Sequence, residues 1–255
     1  MIFNIDDSGG MSAGMIGYSD PDALLYAASG SSWEAALLAS GTLTVQRSCL
    51  VDLFLVAGGQ PGSRGSGDAT GGAGGAGGEC VLVSSVWLRR GVSYAVTVGG
   101  SGEDTSIVGM GLSESAESGQ GSAGGLGAIV TGLSRTRAAS AGTDGVYAYS
   151  EDSDTTLISD LTGKKYGAGG GGADAFNSSY VYANSTSHGG SNAGGQTGGG
   201  SGGIPGQSGD TAATAGAANT GSGGGGAWRK YNGDGTPGAG GSGIIMIRPH
   251  EEESV

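Results

Sequence analysis

Side chains able to do covalent chemistry are few and scattered. His188 stands among serines in Ser185-Thr186-Ser187-His188, the minimum for a hydroxyl nucleophile and its base. No strand-to-helix elbow surrounds a serine there, and no catalytic residue is expected. Gly163-Lys164-Lys165 lacks the spaced glycine and the Ser or Thr of a phosphate-binding loop. Cys49 and Cys80 alone do not make a tetrahedral zinc site, which needs four ligands, and the only histidines are His188 and His250. Each cysteine opens an apolar run, so buried free thiols and a cross-strand disulfide are both open readings. Glu151-Asp152-Ser153-Asp154 has neither the glycine nor the distal glutamate of an EF-hand and reads as a solvated loop, as does Glu251-Glu252-Glu253. No metal and no cofactor are expected.

Chemistry suited to recognition is better represented. Residues 174–184 mix aromatic and adaptable polar side chains, with Phe176, Asn177, Tyr180, Tyr182 and Asn184 as candidate receptor-binding residues. Tyr offers wide contact at small entropic cost, while Asn and Ser adjust their hydrogen bonds. Trp228, Arg229, Lys230 and Tyr231 form a second cluster, from which Trp228, Arg229 and Tyr231 join the candidates. Tyr147 and Tyr149, before the acidic run, are a further possibility. Such sets suit sugars or a cell surface; the alternative is that the aromatics cap the apolar edge of a glycine-rich layer.

The elements that must position these clusters are unusual. Of 255 residues 60 are glycine, almost a quarter, and only 13 % are charged, with a net charge of −12. That balance excludes the basic footprint of a nucleic-acid binder. Five prolines and no three-residue glycine period along the chain exclude collagen. Met1 to Asp7 has no basic or apolar leader pattern, and no apolar run reaches the ~20 residues of a membrane span. Synthesis in a cytoplasm, release by lysis and no membrane insertion are therefore expected.

The fold class expected is all-β with little helix. Residues 42–45 alternate as a half-buried strand, and 50–57 are apolar except for Asp52, as in a strand covered on both faces. Residues 80–88 and 92–98 are two more strands, with Arg89-Arg90-Gly91 read as a hairpin turn between them. Shorter strands are expected at 106–108, 128–131 and 146–149, and a last one at 244–248. Residues 22–28 and 34–39 could each form a turn or two of helix.

Between the strands lie glycine tracts at 71–78, 167–172, 198–203, 221–226 and 238–243. Gly167-Ala168-Gly169-Gly170-Gly171-Gly172-Ala173 matches Gly221-Ser222-Gly223-Gly224-Gly225-Gly226-Ala227 at all but the second position. Flexible linkers are one reading. The other is packed polyglycine II: three residues per turn, backbone groups pointing outward, and neighbours close enough to pair them. Ordering so much glycine is entropically costly, so the strands must anchor it.

Ser32-Trp33, residues 40–45 and 53–59, residues 79–100 and residues 240–248 together resemble the glycine-rich domains of phage and prophage tail proteins. Ser32-Trp33, Ser40-Gly41-Thr42-Leu43-Thr44-Val45 and Leu53-Phe54-Leu55-Val56-Ala57-Gly58-Gly59 are similar to that family's opening strands. Residues 79–88, the Arg89-Arg90-Gly91 turn and Tyr94-Ala95-Val96-Thr97-Val98-Gly99-Gly100 resemble its hairpin. Gly240-Gly241-Ser242-Gly243-Ile244-Ile245-Met246-Ile247-Arg248 is similar to its ending. The resemblance implies a non-enzymatic virion protein of a tail or fibre, whose polyglycine scaffold presents loops to a receptor on the host cell. The resemblance covers about residues 31–248, a glycine-rich domain. The chain departs from the fibre adhesins in showing no extended fibre-docking domain, so residues 1–30 are the candidate attachment arm for other virion subunits, and 249–255 read as an acidic tail. A homotrimer and a monomer are both open. The alternative is a purely structural virion role, as head fibre, capsid decoration or tail-tip component.

Overall fold

The computed structural model describes residues 16–26, 35–65, 70–118, 129–130, 135–138, 166–167, 169–170, 200, 212–230 and 233–249. Among them helical backbone is confined to the 3-10 turn Pro21–Ala23; the regular structure is otherwise antiparallel strand. The first sheet has the order β1 (Ile16–Tyr18), β4 (Gly41–Val45), β8 (Ser93–Thr97), β9 (Thr105–Gly109) and β10 (Leu112–Ala116). The second runs β11 (Ile129–Val130), β12 (Arg135–Ala138), β7 (Cys80–Leu88), β5 (Cys49–Val56), β15 (Ile244–Pro249), β3 (Ala35–Leu37) and β2 (Leu24–Tyr26). A small third sheet holds β14 (Gly233–Asp234), β13 (Trp228–Lys230) and β6 (Thr70–Gly71).

The two large sheets share one apolar core. Leu43, Tyr94 and Ile107 from the first meet Leu53, Leu55 and Ile247 from the second. On β5 the odd positions face this core, while Phe54 and Val56 face the other way, toward Ile244, Met246 and Tyr166. Phe54 and Tyr166 meet edge to face at 5.4 Å, and the Tyr166 hydroxyl donates to Met246 Sδ at 3.7 Å. Burial on both faces is why β5 reads as a nearly continuous apolar run.

Its one charged residue sits at a bulge. Val51 pairs with Val86 and Leu53 with Val83, so Asp52 opposes both Ser84 and Ser85, and Ser85 has φ +60°. The Ser85 N–H donates to Asp52 Oδ1 at 3.0 Å. Arg248, the register partner of Asp52 across β15, places Nε at 3.0 Å and Nη2 at 2.9 Å from Oδ2.

Several expected elements fall differently. Residues 80–88 and 92–98 are strands but not a hairpin: β7 pairs with β5 and β12, while β8 pairs with β4 and β9 in the other sheet. Arg89–Gly91 is therefore a corner between layers, with Gly91 at φ +76°. Residues 22–28 and 34–39 contain β2 and β3 beyond the 3-10 turn, because the open edge of β15 takes up β3 and β3 takes up β2. The expected arm at 1–30 includes β1 and β2, which belong to the sandwich. The strand expected at 146–149 lies outside the described residues.

Cys49 pairs with Leu88 and Cys80 with Val56, at opposite ends of the β5–β7 ladder, about 23 Å apart at the rise of a strand. Both thiols are free. Burial pushes Cys49 up to about 11 and, with Glu79 adding, Cys80 up to about 12. Iodoacetamide at pH 8 is expected to leave both largely unlabelled in the folded protein and to label both within minutes in guanidinium. Rapid native labelling of Cys80 would contradict this burial.

Candidate functional site: the outer end of a glycine block

The strands of the seven-stranded sheet run on into glycine. Residues 58–65 leave β5, residues 72–79 return into β7, and residues 235–243 return into β15. Their backbone bonds recur at every third residue. The N–H groups of Gly72, Gly75 and Gly78 donate to the carbonyls of Ala227, Gly224 and Gly221 at 2.9, 2.8 and 2.7 Å. Gly59 and Gly62 donate to Gly241 and Gly238, both at 2.9 Å. Gly224 and Ala227 donate to Gln60 and Ser63 at 2.9 and 2.8 Å. A step of three is the repeat of an extended helix with three residues per turn.

Residues 221–227 occupy the middle of the block and are buried throughout. They exchange backbone bonds with residues 60–65, with 72–78, with Thr214, with Gly200 and with 238–242. The approach leaves no room for side chains: a Cβ on Gly75 would lie 2.0 Å from the Gln60 carbonyl oxygen, and one on Gly224 2.0 Å from that of Gly238. The tract at 58–65 was not obvious in the sequence, although Gly59, Gly62 and Gly65 are spaced by three.

The two matching tracts lie side by side. Each opens on a left-handed glycine, Gly167 at φ +68° and Gly221 at φ +65°, a conformation that a Cβ resists. Gly167 N–H donates to the Thr220 carbonyl at 2.7 Å, and Gly170 N–H donates to Gly75 at 2.8 Å, level with Gly224. Both tracts therefore leave the sandwich in the same direction.

Past Ala227 the second tract becomes β13 at the outer end of the block. Trp228 pairs with Gly71, Arg229 with Thr70 and Asp234, and Lys230 with Gly233. Arg64 bridges to Ala227 in parallel and donates from Nε to the Gly235 carbonyl at 3.2 Å. Trp228 and Arg229 are thus held by a strand rather than standing in a free loop, and Tyr231 lies outside the described residues. Phe176, Asn177, Tyr180, Tyr182 and Asn184 also lie outside them. Residues 171–199, which contain them, are bracketed by Gly170 and Gly200, bonded to Gly75 and Gly223 in the middle of the block. Tyr147, Tyr149 and Glu151 to Asp154 lie outside the described residues too. Among the described residues no cluster of His, Cys, Asp and Glu could hold a metal ion, and no helix is long and apolar enough to cross a membrane.

An antiparallel β-sandwich whose strands continue into a block of close-packed glycine segments defines a glycine-rich β-scaffold. The sequence profile described as "Glycine-rich domain" matches residues 38–249, from just after β3 to the end of β15, and the chain belongs to that family. No curated protein matches the chain significantly.

Proposed function

We propose that the protein is a non-enzymatic phage virion component of the tail or a tail fibre, whose glycine block presents recognition segments to a host-cell receptor. What supports this reading is the parallel pair of matching tracts: both run outward from left-handed glycines, and each leads in sequence to a cluster of aromatic and polar residues. In this reading the block is packed polyglycine II, stiff enough to hold those clusters at fixed spacing. The receptor is a glycan or a surface protein, and residues 1–30 contribute docking to other virion subunits, with a homotrimer as one arrangement. Weak single contacts are multiplied by copy number on the particle.

Immunogold microscopy of a phage lysate with antibody to this chain is expected to label tail tips or fibre ends. Replacing Tyr180, Tyr182, Trp228 and Tyr231 by Ala is then expected to lower host attachment at least tenfold at unchanged particle yield. Gold on the capsid overturns the receptor reading. Failed incorporation of the variant favours the structural role of a head fibre, decoration or tail-tip component instead.

A further inference from the structure

The end of the sandwich opposite the glycine block carries a separate set of groups. Arg47 lies in the β4–β5 connection, and Arg89 and Arg90 lie in the corner after β7. These two segments, some forty positions apart in sequence, are laced together. Arg90 N–H donates to Ser48 Oγ at 2.9 Å, Gly91 N–H to the Val45 carbonyl at 2.8 Å, and Arg89 N–H to the hydroxyl of buried Tyr94 at 3.1 Å. All three arginines are exposed, and among the described residues none is ion-paired. Trp87, two positions before Arg89, is 55 % exposed although it sits in a long central strand.

Charge is sorted along the sandwich. Glu79, Glu103, Asp104 and Glu117 all sit where the strands meet the glycine block: Glu79 precedes Cys80, and the Glu117 N–H donates to Glu79 Oε2 at 2.9 Å. The acid nearest the arginines along β5, Asp52, is buried and already held by Arg248. A chain of net charge −12 with 11 basic residues has thus gathered three of them, without an ion pair among the described residues, at one end of the sandwich. Like charges gathered at one end repel one another, and a bound anion relieves that repulsion.

We infer that this end binds a phosphorylated saccharide, the arginines taking the phosphate and Trp87 the face of the sugar ring. Guanidinium groups match phosphate geometry through paired N–H donors, and an aromatic face beside them offers the apolar contact that a bare phosphate site does not need. A long nucleic acid would meet the acidic remainder of the molecule. The exposed apolar groups at this end are divided between the two sheets, Trp87 on one and Val108 and Met110 on the other, so they do not form one face for a bilayer. The inference rests on the proposed receptor-binding role and places a second contact at the end of the sandwich remote from Trp228.

The test uses the full chain and immobilised phosphomannan, with unphosphorylated mannan as control. Phosphomannan is expected to bind, neutral mannan at least tenfold more weakly, with affinity falling as salt rises. Arg47→Ser/Arg89→Ser/Arg90→Ser is expected to lose at least tenfold at an unchanged thermal midpoint. Trp87→Ser, made separately, is expected to weaken phosphomannan binding several-fold and leave competition by inorganic phosphate unchanged. Equal binding of both mannans, or full binding by the arginine variant, overturns the inference. So does binding that appears only after Glu251, Glu252 and Glu253 are replaced by Gln, which would assign the arginines to this chain's own acidic tail. Host-cell attachment separates the two levels. Attachment by the native chain and equally by the arginine variant sinks this site alone, whereas no attachment by the native chain sinks the receptor role.

Discussion

Gly75→Ala is expected to destabilise the protein by about 3 kcal/mol or more, the upper range for overpacking a filled interior. A single methyl group there lies 2.0 Å from the Gln60 carbonyl oxygen and 2.7 Å from that of Pro61. Both obstacles are backbone, so no side chain can swing aside. Moving the segment breaks its own bonds, since Gly75 donates to Gly224 and accepts from Gly170. For a chain of this size the thermal midpoint should fall by about 6–12 °C. Gly91→Ala is the control: its φ is +76° but a Cβ there meets nothing within 4 Å, so only the conformational term of about 1 kcal/mol is lost. Equal midpoints for the two variants would mean that the glycines are a tether and not a packed block. The same experiment bears on function, because a loosened block cannot hold Trp228 and the bracket at Gly170 and Gly200 in fixed relation.

What could be read from the sequence follows how each segment is stabilised. β5, β7, β8 and β15 were legible within a residue or two because their side chains enter a core, and burial writes period two or an unbroken apolar run into the sequence. β10, Leu-Ser-Glu-Ser-Ala, was not, because it is an edge strand whose pairing with β9 rests on backbone bonds. β2 and β3 looked helical because Ala and Leu favour helices slightly, yet the open edge of β15 overrode that preference. The β7–β8 connection was misread for a different reason. Spacing and a turn glycine show that the chain changes direction, but not which sheet it joins next. The glycine block is only partly legible: its longer tracts and their repeat stand out by composition, but its contacts are mostly backbone to backbone, so the segment at 58–65 shows only as the spacing of three in Gly59, Gly62 and Gly65. Of the candidate site, Trp228 and Arg229 are legible as residues but their strand is not, since a three-residue strand of one tryptophan and two cations has no alternation to detect. The arginine end is not legible in the sequence because the segments of Arg47 and of Arg89-Arg90 come together only through the corner between sheets, where spacing alone predicts a hairpin.

Asp52→Ala should cost about 3 kcal/mol, in the range for breaking a buried ion pair by removing one partner. The side chain of Asp52 is 4 % exposed and that of Arg248 28 %, so the stranded guanidinium regains only part of its hydration. Ser85, held at φ +60° by the bulge, loses the acceptor of its N–H as well. Asp52→Asn should fall between the two, because Oδ1 can still accept from Ser85 while the charge on Arg248 goes unmatched. Adding Arg248→Met to Asp52→Ala should recover more than half of the loss, since an apolar pair removes the uncompensated charge. The consequence reaches beyond stability. β15 is uniformly apolar from Ile244 to Ile247, with side chains wanted on both faces, so apolarity alone specifies its register weakly. The Asp52–Arg248 pair marks a unique alignment, and β15 is continuous with residues 235–243 of the glycine block. Shifting β15 by one residue would move Gly238 and Gly241 off the carbonyls of Gly225 and Ser222, to which their N–H groups donate. Amide exchange at 244–248 and at 238–241 should therefore accelerate together in Asp52→Ala. Acceleration confined to β15 would show that the block holds its alignment without the ion pair.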